Sequence, residues 1–113
     1  MGQDDSCQWV DNAHDLAGML KTGGAVVALF YASWCSFCVK FLPAFQQHAQ
    51  GNRGRFVIVQ DDDEAMAAQY SVDVYPTVLF IEGGTVLKRL DGVLGVGLDE
   101  KKLAGFIASC PLS

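Results

Sequence analysis

The sequence predicts an α/β domain, a central mixed β-sheet with helices on both faces. Three observations carry this. The run Ala25–Tyr31 is apolar at every position, as in a strand covered on both faces. A second such run occupies residues 56–59, and the segment between them places Phe41, Leu42, Phe45 and Ala49 at helical spacing. Further on, two stretches rich in β-formers flank Gly83-Gly84, the pattern of a hairpin. Strand–helix–strand units give parallel pairing and the hairpin gives antiparallel pairing, so the sheet is mixed.

A short strand around Trp9 opens the order of elements. Asp11 or Asn12 caps a first helix through Leu16 and Leu20, which Gly23-Gly24 ends. After the strand at 25–31, Ala32-Ser33-Trp34 leads into a second helix that begins near Cys35 and is kinked by Pro43. Residues 51–55 turn into the strand at 56–59. Asp61-Asp62-Asp63-Glu64 sets acids at the start of a short helix reaching Tyr70, where the helix dipole favours them, and reads as a solvated face. Residues 72–76 connect to a strand at 77–81, whose hairpin partner is 85–90. A glycine-rich loop at 92–97 precedes a last helix at 99–109, ended before Pro111. Phe41, Phe45, Phe80 and Phe106 are assigned to the core and Phe37 to the active surface. With no repeat and no linker, residues 1–113 form one domain.

Composition narrows the function. Half of the residues are apolar and 19% are charged, as in a globular protein. The net charge of −5 repels phosphate backbones and argues against a nucleic-acid partner. No apolar run approaches the ~20 residues of a membrane span. The acidic start Met1-Gly2-Gln3-Asp4-Asp5 is unlike an export signal, so the cytoplasm is the expected compartment. A periplasmic or other exported location is the alternative if a signal has been removed ahead of it.

Four cysteines are present: Cys7, Cys35, Cys38 and Cys110. Cys35-Ser36-Phe37-Cys38 lies where a strand passes into a helix. The first cysteine then sits among unpaired N–H groups that stabilise a thiolate. The second lies one turn on, on the same face, placed to attack a mixed disulfide formed on the first. Cys35 therefore attacks and Cys38 resolves. Structural zinc needs four ligands, the motif supplies two, and His14 and His48 lack ligand spacing to it, so no metal is expected. Cys7 and Cys110 are either buried thiols or a disulfide joining the chain ends, which would stabilise by about 4–5 kcal/mol.

Together these residues resemble the thioredoxin family over nearly the whole chain. Phe30-Tyr31-Ala32-Ser33-Trp34-Cys35-Ser36-Phe37-Cys38 is similar to its active-site segment, Pro43 to its helix proline, Val74-Tyr75-Pro76-Thr77-Val78 to its cis-proline loop, and Gly92 to a glycine of its substrate groove. The resemblance implies that Pro76 is cis beside the cysteines and that the Tyr75 backbone pairs with an extended substrate segment. It implies that Trp34 shields the cysteines and that Ser36, Phe37 and Gly92 border the substrate. It also implies a thiol–disulfide oxidoreductase that reduces protein disulfides as a monomer, with no cofactor beyond the Cys35–Cys38 couple. Its partners would be protein disulfides and a thioredoxin reductase or other electron donor. An exported disulfide oxidase or isomerase, and a binding module with incidental redox activity, are the alternatives. Two departures stand out: Leu29 occupies the position of the family's buried acid and Val57 that of its lysine partner. Both losses remove a proton relay to Cys38 and imply slow resolution and persistent mixed disulfides.

Overall fold

A computed structural model describes residues 7–21, 24–51 and 55–111. The helix-ending Gly23, the turn residues 52–54 and the acidic start at 1–6 lie outside the described residues. In chain order the elements are β1 (Cys7–Val10), α1 (Ala13–Lys21), β2 (Ala25–Tyr31), α2 (Ser36–Gly51), β3 (Arg55–Gln60), α3 (Ala65–Gln69), β4 (Thr77–Glu82), β5 (Thr85–Leu90) and α4 (Glu100–Ser109). The strands form one sheet in the order β1-β3-β2-β4-β5. Strands β1 and β2 run parallel to β3, whereas β4 is antiparallel to both β2 and β5. The mixed α/β architecture is therefore present.

Local chemistry accounts for the boundaries. The Asn12 side chain accepts the Asp15 N–H at 2.7 Å and starts α1. Asp99 does the same for α4, accepting from the Lys102 N–H at 2.8 Å. Gly83 and Gly84 have φ of 60° and 81°, as a two-residue hairpin turn requires. Helix α2 runs on through Pro43 as one element and includes Gly51, and Arg55 already belongs to β3. Gly51 and Arg55, expected in a turn, thus belong to the helix and the strand.

Strand alternation divides the core in two. Val27, Leu29, Phe56, Ile58, Val78 and Phe80 face α2 and α4, packing against Phe41, Phe45, Leu103 and Ile107. Val26, Ala28, Phe30, Val57 and Val59 face α1 and α3, against Leu16, Leu20 and Met66. The central strand is buried from Val26 to Tyr31 because helices cover both faces, which is why it lacks alternating polar residues. Phe106 lies half-buried at the edge of the first layer, not inside it as expected. A helix face that ends beside solvent exposes one flank of a residue at its border.

Candidate active site

The site forms where β2 ends and α2 begins. Cys35 immediately precedes the first residue of α2. Its own N–H donates to the Ala32 carbonyl, and its carbonyl accepts from the Val39 N–H, both at 3.1 Å. Its sulfur accepts the Cys38 N–H at 3.4 Å, one of the unpaired donors of the first helical turn. Cys35 is 8% exposed and Cys38 is fully buried. Burial, followed by a hydrogen bond with Cys35, pushes the Cys38 thiol up to about 12. The two sulfurs thus have different environments: one lines a groove with an N–H aimed at it, the other is fully enclosed.

The loop before β4 supplies the opposite wall. The Tyr75–Pro76 peptide is cis, and the Tyr75 carbonyl lies 3.8 Å from the Cys35 sulfur. The Thr77 hydroxyl donates to the Val74 carbonyl at 2.6 Å and accepts from the Gly92 N–H at 3.2 Å, locking the loop to the end of β5. A Cβ on Gly92 would collide with the Pro76 carbonyl oxygen, so only glycine fits there. Gly92 therefore abuts the proline loop. Trp34 is 59% exposed, its ring centroid 5.7 Å from that of Tyr75, and its indole N–H donates to the Asp62 carbonyl at 2.9 Å. Ser36 is exposed in the first turn of α2, and Phe37 presents part of its ring to solvent.

Two acids contribute more than the sequence suggested. Asp61 is buried, which corrects the reading of 61–64 as one solvated face. Its carboxylate accepts the Met66 and Ala67 N–H groups at 2.9 and 2.7 Å, capping α3, and the Tyr75 hydroxyl at 2.8 Å. Burial, and then the Asp61 bond, push the Tyr75 hydroxyl above its ordinary range. Asp62 accepts the Ser33 N–H and hydroxyl at 2.8 and 2.7 Å, bonds that hold its carboxyl below the usual value. Asp61 thus braces the proline loop and Asp62 the segment entering the cysteine motif. The one signal in the sequence was position: an acid directly after a buried strand and before a short helix.

Other expectations divide. Leu29 shares the buried layer of Cys38, but Val57 lies on the opposite face of the sheet, among Ala28, Phe30 and Val59. In parallel register Val57 pairs with Ala28 and Ile58 with Leu29, so strand alternation turns Val57 away. All four cysteines are thiols. Cys7 and Cys110 pack in the same layer at 8% exposure each, and the Cys110 thiol donates to the Phe106 carbonyl at 3.3 Å. His48 is half-buried and lies 2.7 Å from Glu100, linking α2 to α4. Among the described residues, no three His, Cys, Asp or Glu side chains gather as a metal would require, and no helix is long and apolar enough to cross a membrane.

Comparison with known proteins agrees with this geometry. The family model for thioredoxin matches residues 10–109. A thioredoxin of Chlorobaculum thiosulfatiphilum is 33% identical over 88 residues, covering 75% of this chain and 82% of that protein. Protein disulfide-isomerase A5 of Bos taurus is 35% identical over 88 residues, covering 73% of this chain but 17% of that longer protein. The crystal structure of Schistosoma mansoni thioredoxin superposes with a TM-score of 0.78 at 26% identity, covering 95% of this chain and 97% of that one.

Proposed function

The chain belongs to the thioredoxin family and is a thiol–disulfide oxidoreductase; we propose that it acts as one domain that reduces protein disulfides, with Cys35 as nucleophile and Cys38 as resolving thiol. The observation that carries the assignment of roles is the asymmetry of the pair. Cys35 receives an N–H at a helix start, whereas Cys38 is fully buried and holds its proton. In the first step the Cys35 thiolate attacks one sulfur of a substrate disulfide. A mixed disulfide forms and the other substrate cysteine leaves as a thiolate. Cys38, deprotonated, then attacks the Cys35 sulfur, and the second substrate cysteine leaves. Two electrons pass from the dithiol to the substrate, whose thiolates take up protons.

The redox group in this reading is the couple itself, with no separate cofactor. Trp34, Ser36, Phe37, Tyr75, Pro76 and Gly92 border the substrate, and the Tyr75 backbone pairs with its extended segment. A reductase flavoprotein or another dithiol donor returns the electrons. The cytoplasm is the first compartment in this reading, and an exported one the alternative. A titration of Trp34 fluorescence in defined thiol buffers tests the direction of transfer. A potential near the ~−270 mV of thioredoxin supports the reductase. One above roughly −200 mV moves the protein to disulfide oxidation or isomerisation. A protein without a reversible transition is not acting through this pair.

A further inference from the structure

The reductase reading leaves open which disulfides are reduced, and a groove of about 240 Å³ beside Cys35 bears on it. Its lining includes Phe37 and, from the loop after β5, Leu94. Leu94 is 85% exposed, more than any other large apolar side chain among the described residues, and Val93 and Val96 beside it are also exposed. The loop is nevertheless held in shape. Val93 and Gly97 exchange two backbone hydrogen bonds, at 3.2 and 2.7 Å. Gly95 and Gly97 have φ of 78° and 82°. Gly97 lies so close to Phe37 that an added Cβ would stand 2.9 Å from the Phe37 Cβ. Apolar side chains kept exposed on a fixed loop gain free energy when a partner covers them.

The same lining also carries two carboxylates, Glu64 and Asp73, and the described lining residues include no lysine, arginine or histidine. Arg89 interacts electrostatically with Asp73, but its guanidinium is engaged by the Asp91 carboxylate and by the Tyr70 and Ser71 carbonyls. Neither Glu64 nor Asp73 forms one of the salt bridges found among the described residues. A groove lined by apolar side chains and by two carboxylates complements a segment that carries both an apolar and a cationic side chain.

We propose that this groove selects protein segments in which the disulfide cysteine is flanked, within a few residues, by a large apolar side chain and by a lysine or arginine. The segment lies extended along Tyr75, its apolar side chain on Phe37 and Leu94 and its cation toward Glu64 and Asp73. Its sulfur then meets Cys35, and the exchange proceeds with the bond changes given above.

Four peptides of one length test this, each bearing one cysteine as a mixed disulfide with thionitrobenzoate and flanked by Leu/Lys, Leu/Glu, Ser/Lys or Ser/Glu. Attack on the peptide sulfur releases the coloured thiolate, because the lower-pKa thiol leaves faster. Each second-order rate is divided by the rate of the same protein on hydroxyethyl disulfide, which bears neither feature. The expected result is a normalised rate for Leu/Lys about tenfold or more above that for Ser/Glu. Leu94→Ser should erase the leucine preference, and Glu64→Gln with Asp73→Asn the lysine preference. Equal normalised rates for the four peptides, or preferences that survive in both variants, would overturn the selection while leaving the oxidoreductase intact. A wild-type protein unable to reduce hydroxyethyl disulfide would overturn the reductase reading and the selection with it.

Discussion

Cys35 and Cys38 stand three positions apart yet differ in solvent access and hydrogen bonding, and burial raises the Cys38 thiol, so variants at either should fail differently. Cys35→Ser is expected to abolish turnover of protein disulfides, by at least about 10³-fold, because it removes the sulfur that accepts the helix-start Cys38 N–H and lines the groove. Cys38→Ser is expected to attack normally and then stall, leaving a mixed disulfide visible by mass spectrometry in non-reducing conditions. The buried Cys38 thiol also makes stability depend on pH. Its folded value, about 12, lies above the ~8.5 of an unfolded cysteine, so the folded protein retains this proton longer. That contribution is complete below ~8.5 and is lost as pH rises toward the folded value. The urea midpoint of the reduced protein should therefore fall between those limits, and less steeply in Cys38→Ser. Equal slopes would refute this origin. Asp61 is the other exposed weakness at this scale. Asp61→Ala leaves two N–H groups without their acceptor and the Tyr75 hydroxyl with only the backbone carbonyl of residue 61, at 3.2 Å. It should cost about 2–3 kcal/mol in thermal or urea unfolding.

At the scale of elements, what the sequence made legible follows one rule. Features set by neighbours along the chain could be read, and those set by neighbours in space could not. The two buried strands, the Gly83-Gly84 hairpin, the Asn12 cap and the placement of Cys35 before α2 all depend on short runs of residues. Asp61 looked like the first of four solvated acids because only the turn after β3 sends it inward, to meet α3 and Tyr75. Val57 looked like a neighbour of Leu29 because alignment with the family ignores which face of a strand a side chain occupies. His48 shows its tie to Glu100 only once α2 and α4 lie side by side. The loop at 93–97 is the element with the sharpest steric demand. Gly97→Ala adds a Cβ both at a left-handed φ and against Phe37. It should destabilise by about 1–3 kcal/mol and slow reduction of protein disulfides, measured side by side with Gly95→Ala. Gly95 shares the positive φ but has open space around it, so its variant isolates the backbone cost from the Phe37 contact.

For the molecule as a whole, the sheet separates two apolar layers, and Tyr75 packs against both. The site therefore rests on the entire sandwich rather than on one helix. Its electrostatic field is equally collective. The net charge is −5, and Asp61, Asp62, Asp63, Glu64 and Asp73 all belong to the segments leading to the proline loop. Cationic cystamine should accordingly be attacked several-fold faster than anionic oxidised glutathione at low ionic strength. The gap should narrow toward 1 M salt, where the screening length is ~3 Å. Stopped-flow rates across a salt series decide it, and a ratio indifferent to salt would contradict a field effect. The turn that closes on itself through Val93 and Gly97 has a consequence on another timescale. Leu94 and Val96 project from it without entering any rung of the sheet. Inherited changes at these two positions can thus give descendants of this gene new clients while the sheet and the dithiol pass on unaltered.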